Sequence, residues 1–300
     1  MRLIRPTTIT PAMLTACNVP ETDYAAWNSG TAYVVGNNCM YNHKNYECAI
    51  NHTNAQPDLN VAPVVSPKWI DLGYNNRWKM FDNTVGSQTE LAEAITLTLA
   101  PGAVIDSIAF LDLDATAIEI TMTDPIEGVV FSDTIDLVSH SGIIDAYTYF
   151  FNPIITDDTA ILLGIPPYGS ASIAITINNP GGTAKIGTLV VGLQQDVGGT
   201  QYNPTVGFDS YSRIKRDDFG NMEILARGYS NKLSCTLSIP KASHDYVLRT
   251  FKAVRDLPIV WVGVDAGYSS MIVYGIIKSC PIGIPGPVDS ICHLEIEGFV

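Results

Sequence analysis

Four side chains that could hold a metal ion fall close together near the amino terminus: Cys39, His43, Cys48 and His52. Thiolate and imidazole at short spacing is zinc chemistry. The local pattern speaks against it. Residues 41–46 read as a hairpin turning over Asn42-His43-Lys44-Asn45, with Tyr41 opposite Tyr46 and Cys39 opposite Cys48. That register sends His43 into the turn, away from both thiols, so no metal or other cofactor is expected. It leaves Cys39 and Cys48 as neighbours on the face that also holds Tyr41 and Tyr46: a cross-strand disulfide in an oxidising compartment, adjacent thiols in a cytosol. Cys17, Cys235, Cys280 and Cys292 read as buried thiols in strands.

Catalytic chemistry finds little support. Asp112 and Asp114 share a strand face and could act as paired acids or bind calcium, but read better as solvated strand carboxylates. Ser139-His140-Ser141 and Ser243-His244-Asp245 set triad residue types side by side, whereas a triad needs them apart in sequence and convergent in space. Asp218-Phe219-Gly220 copies a kinase tripeptide without a Gly-rich loop or a His-Arg-Asp loop, and reads as a turn. The chain is not expected to be an enzyme.

Binding chemistry is better represented. Trp27, Tyr33, Tyr41, Tyr46 and Trp69 crowd a stretch too short to bury much apolar surface. The stretch reads Trp27-Asn28-Ser29-Gly30-Thr31-Ala32-Tyr33, then Gly36, Tyr41, Tyr46, His52-Thr53, Pro57, Pro63 and Trp69. It resembles the small carbohydrate-binding module of chitinases and cellulases, which implies a glycan partner held by ring stacking. Part of the aromatic set must be the unit's own core. Trp27, Tyr33 and Tyr46 are assigned to the fold, with Trp27 and Tyr46 bordering the site; Tyr41 and Trp69 are the expected binding face. The chain departs from the family at Gln56, where chitin-binding members carry an exposed Trp before the proline.

Around that unit the sequence reads as all-β with one helix, in four parts: an amino-terminal arm (1–26), the aromatic module (27–73, three-stranded), a jelly-roll-like β-sandwich (77–197) and a β-rich assembly domain (198–300). The arm carries Arg2, Arg5 and Leu14-Thr15-Ala16-Cys17, but Pro6 to Pro11 is too polar for a signal sequence; an extended arm docking on a neighbouring sheet or subunit is expected. Gly73-Tyr74-Asn75-Asn76 reads as an exposed connection, which would make the module separable. Period-two alternation marks strands at 95–99, 105–113, 117–122, 147–151, 172–177 and 186–191, with Asn178-Asn179-Pro180-Gly181-Gly182 as a turn. The pattern is similar to galactose-binding-like sandwiches. Farther on, strands are expected at 222–227, 233–239, 259–264, 271–277 and 293–297. Val247, Leu248, Phe251 and Val254 predict a helix over 243–256, capped by Ser243 and ended by Pro258.

The segment 185–290, with Tyr211-Ser212-Arg213, Asp217-Asp218-Phe219-Gly220-Asn221, one helix and Leu257-Pro258-Ile259-Val260-Trp261, resembles minor tail and baseplate proteins of long-tailed bacteriophages. The resemblance implies a virion tail component, assembled in the bacterial host cytoplasm, that contacts other tail or baseplate proteins, forms a trimer or hexamer and meets host surface polysaccharide. Composition agrees with obligate assembly: 46% hydrophobic residues with only 16% charged. A net charge of −13 excludes a phosphate-neutralising surface, so no nucleic acid is expected. The longest apolar runs, such as 259–264, fall far short of the roughly 20 residues that cross a bilayer, so no membrane insertion is expected. The competing reading is a non-catalytic accessory region of a secreted carbohydrate-active enzyme.

Overall fold

In a computed structural model the chain is all-β with one long helix. The structure describes residues 1–82, 84, 86–139, 144–151, 155–216, 220, 222–264 and 268–299. Of the sequence motifs above, His140, Ser141, Asp217, Asp218, Phe219 and Asn221 lie outside the described residues. No helix among the described residues is long and apolar enough to cross a membrane.

The organising element is a single strand, Ser172–Asp196. The sequence suggested two strands and a reversal at 178–182. Instead both flanks pair with the same neighbour, Thr89–Leu99: Asn178 faces Ala94 and Thr183 faces Ala92. Residues 179–182 therefore bulge opposite Glu93 alone. Gly181 and Glu93 take positive φ (77° and 67°), and the Gly181 N–H donates to the Glu93 carboxylate at 3.1 Å. Turn-forming residues bend the strand here without ending it, because the ladder beyond the bulge still satisfies the backbone. The near half lies between Thr89–Leu99 and Ala117–Asp124; the far half pairs with Ser107–Asp114. Ile173, Ile175 and Ile177 from one half and Ile186, Leu189 and Val191 from the other share one core with Ile95, Leu97, Phe110 and Ile120.

The amino-terminal strand Arg2–Pro6 docks within its own chain, between the far end of that long strand and Ile259–Val262. It joins the sandwich and the carboxy-terminal third into one continuous open sheet. Leu3 enters the carboxy-terminal core with Phe251 and Trp261, while Ile4 enters a cluster with Val190 and Val260 on the other face. Gly192 permits this approach, since a Cβ there would collide with the Arg5 carbonyl. In the carboxy-terminal third, Tyr229–Pro240, Asp289–Gly298 and Ile272–Ser279 extend the sheet.

The long helix spans His244–Val254, shorter than expected at both ends. A 3-10 turn, Lys241–Ser243, precedes it, and Ser243 makes no side-chain capping bond. Val247, Phe251 and Val254 are buried, as their spacing demands. Tyr147–Phe151, expected as a strand, belongs to a six-residue helix, Ala146–Phe151, with no buried residue.

Candidate functional site

Three strands build the aromatic unit: Asn38–Tyr41, Lys44–Cys48 and Trp69–Tyr74. The first two form a hairpin whose turn residues, Asn42 and His43, both take positive φ (48° and 64°). That is the primed turn whose twist matches the strands, and Asn tolerates the left-handed conformation best. The turn fixes Tyr41 opposite Lys44 and Cys39 opposite Tyr46, two residues away from the expected register. A slip of two keeps every side chain on its face. Cys39, Tyr41, Tyr46 and Cys48 still share one side, but Cys39 and Cys48 are not cross-strand partners, and both thiols are free. Cys48 N–H instead donates to the Asn37 carbonyl at 2.8 Å. Burial, then the neighbouring Cys48, pushes the Cys39 thiol up to about 11.

The expected binding residues divide. Trp69, expected on the stacking face, is 1% exposed. Its strand pairs it with Cys48, on the buried side, and its Nε1 donates to the Ala55 carbonyl at 2.8 Å. Tyr33 and His52 meet its ring edge-on at 4.9 and 4.7 Å between centroids. Tyr46 is likewise core, and burial followed by the Asp71 and Asp58 charges pushes its hydroxyl up to about 12. Trp27 and Tyr41 pack against this core yet stay partly exposed, their rings 5.6 Å apart and nearly perpendicular.

Beside that pair the structure sets polar groups the sequence did not single out. Lys44, opposite Tyr41 on the same face, donates from Nζ to Asp71 at 2.7 Å and lies 5.2 Å from the Tyr74 ring centroid. An aromatic pair, an ammonium, a carboxylate and a third ring thus line one open edge. Rings offer a stacking surface for the C–H face of a pyranose; Lys44 can donate to its hydroxyls and Asp71 can accept from them. A signal was present in the alternation of Tyr41, Lys44, Tyr46 and Cys48, but only the register brings Asp71 to Lys44. Gln56, where the family carries a stacking Trp, turns back to donate to Asp58 at 2.8 Å.

The other sequence candidates go elsewhere. His43 bonds Glu21 at 3.0 Å, and His52 Nδ1 lies 3.6 Å from Cys48 Sγ. No set of three metal-ligating side chains comes together among the described residues. Asp112 takes positive φ opposite Gly187, and Asp114 pairs with Lys185 at 3.6 Å. His244 Nδ1 meets Ser290 Oγ at 2.9 Å, and neither Ser243 nor Asp245 completes a triad with it.

The connection Gly73-Tyr74-Asn75-Asn76, expected to be exposed, is partly buried and bonded to the body. Asn75 is fully buried, and Asn76 exchanges two hydrogen bonds with the Glu90 backbone at 2.8 and 3.0 Å. Glu21 fastens the junction, accepting from His43 (3.0 Å), Asn75 (3.1 Å), Arg77 (3.1 Å) and Trp78 Nε1 (3.1 Å). Burial alone would raise the Glu21 carboxyl; bonds from His43, Trp78 and Asn75, with the His43 charge, outweigh it and hold it below the usual value.

No family model matches the chain, and no curated protein matches it. Among solved structures it is similar to chitosan-binding module 1 of a chitosanase/glucanase from Paenibacillus sp. IK-5, at 11% identity over 38% of this chain and 81% of that one. The TM-score is 0.24, at which the likeness fixes neither fold nor ligand.

Proposed function

We propose that this chain is a non-catalytic attachment protein of a phage tail tip or baseplate, which holds host cell-surface glycan at the Trp27–Tyr41 rim. The observation that carries the glycan reading is the partly exposed Trp27–Tyr41 pair flanked by the Lys44–Asp71 ion pair, in a unit whose Tyr33, Tyr46 and Trp69 are consumed by its core. The tail setting rests on the sequence resemblance of residues 185–290. The firm seating of the unit on the body through Glu21 suits a contact that must bear load.

The test is adsorption of the intact protein to host cells and to a glycan array, followed by Tyr41→Ala. Ring stacking on an aromatic side chain is worth roughly 1–3 kcal/mol in nucleobase systems, so a loss of about tenfold or more in affinity is expected. The thermal transition should stay nearly unchanged, because Tyr41 sits at the rim. An array without a hit for the intact protein, or a Tyr41→Ala variant that adsorbs like the parent, defeats the glycan reading.

A further inference from the structure

The open edge of the aromatic unit continues past the unit itself. Tyr41 faces Lys44, and Lys44 faces Tyr74 on the next strand, so the three side chains stand in one cross-strand row on one face of the sheet. Tyr74, at the end of that row, also lines a cleft of about 660 Å3 between the unit and the body. Asn42 and His43, the turn that joins Tyr41 to Lys44, line it too. The body contributes Thr8, Phe81, Leu257 and Tyr274. Sites for small organic ligands have volumes of about 300–1,000 Å3.

The turn and the lead-in that line the cleft are each held in place. The Asn75 N–H donates to the His43 carbonyl at 2.9 Å and the His43 ring bonds Glu21, while the Thr7 N–H donates to the Val191 carbonyl at 2.8 Å. His43 packs on Trp78 at 4.6 Å and Trp78 on Phe81 at 5.6 Å between centroids, a series of rings along the cleft. Tyr74 and Leu257 are 37% and 44% exposed. Thr8 and Asn42 offer an exposed hydroxyl and an exposed amide, with no side-chain partner among the described residues. Rings with hydroxyl and amide groups between them match a sugar, whose C–H faces stack and whose hydroxyls donate and accept.

Charge narrows the class. No Lys or Arg stands among the described lining residues, and the one carboxylate there, Asp82, is buried. Burial pushes its carboxyl above the usual value, outweighing the bonds from Thr84 and Ser87 and the attraction of Lys79. A cleft that already penalises one negative charge penalises a second, and the chain's net charge of −13 adds to the repulsion of an anion.

We infer that the cleft holds the continuation of the glycan strand that starts at the Trp27–Tyr41 rim, and that this strand is a neutral polysaccharide bound over several sugar units. The inference rests on the glycan reading proposed above, and it can fail while that reading stands.

The probe is an array of two matched series, neutral hexose and uronic acid, each running from disaccharide to hexasaccharide. Affinity for the neutral series should rise with length by about tenfold or more as the cleft is reached, and the uronic acids should bind more weakly at every length. Thr8→Trp, whose new side chain fills the cleft from an exposed position, should melt like the parent and abolish the rise. Without any variant, the neutral hexasaccharide should protect Tyr74 and Leu257 of the parent from hydroxyl-radical labelling. Affinity that is flat with length, a Thr8→Trp variant that keeps the rise, or protection confined to Trp27 and Tyr41 overturns the cleft and leaves the rim standing. Tighter binding of the uronic acids overturns the neutral class. An array with no ligand at all defeats this inference and the glycan reading together.

Discussion

Glu21 shows how one side chain can decide where a whole unit sits. Its carboxylate takes hydrogen bonds from the hairpin turn (His43), from the exit of the aromatic unit (Asn75) and from the entry to the sandwich (Arg77, Trp78). Because its folded pKa is depressed, the stability it contributes is present above its unfolded pKa, roughly 4.3, and is lost as pH falls through the lower folded value. Glu21→Gln keeps the shape and removes the charge. We expect a destabilisation of about 1–3 kcal/mol at neutral pH, since charge-assisted bonds become neutral ones and donors are left badly paired. As pH falls from about 4.3 through the lower folded value, the variant's melting temperature should converge on the parent's. Thermal melts between neutral and acid pH give the check, and curves that run parallel throughout would show that Glu21 is not ionised in this role. Nothing in the sequence advertised the residue: it lies in the lead-in, and its partners are 22 to 57 positions away.

At the scale of elements, parity was legible and register was not. Alternation put Cys39, Tyr41, Tyr46 and Cys48 on one face, and a two-residue slip left that intact. The slip itself hinged on which pair of turn residues adopts the left-handed conformation, and four polar residues in a row offered several choices. Trp69 was misplaced for a related reason. Its aromatic type suits core and platform equally, and only the pairing with Cys48 turns it inward. Trp69→Ala should therefore cost about 3–5 kcal/mol, the range for emptying a buried aromatic site, and melt the three-stranded unit. Loss of the unit's near-ultraviolet signal with the helix and sandwich signals retained is the expected result. A fully folded variant would mean that the ring is dispensable to the core. The bulge at 179–182 carries a similar lesson: Asn-Asn-Pro-Gly-Gly chemistry marks a bend, and whether a strand ends there depends on what lies across from it.

For the molecule as a whole, the decisive contact is between residues far apart in sequence. Local pattern divided the chain into an arm, an aromatic module, a sandwich and an assembly domain, yet the sheet that unites the last two runs through the arm's own Arg2–Pro6, a strand flanked on both sides by residues roughly 190 and 260 positions along. No local signal gives such partners. Leu3 and Ile4 are fully buried on opposite faces, Leu3 in the carboxy-terminal core and Ile4 in a smaller cluster where Ala109, Leu111 and Val190 meet Val260 and Val262. Burial of such side chains is worth about 1.5–3 kcal/mol apiece, so Leu3→Ser with Ile4→Ser should remove about 3–6 kcal/mol. At about 2–4 °C per kcal/mol for a unit of this size, that is a fall of roughly 6–24 °C. The form of the transition matters more than the shift. In the parent the strand couples the sandwich to the carboxy-terminal core, and calorimetry should show the two melting together. In the double variant the shared strand is weakened, and the single transition should separate into two. If the parent already shows separate transitions, or the variant keeps one, the amino-terminal strand rests on the sheet without joining its halves.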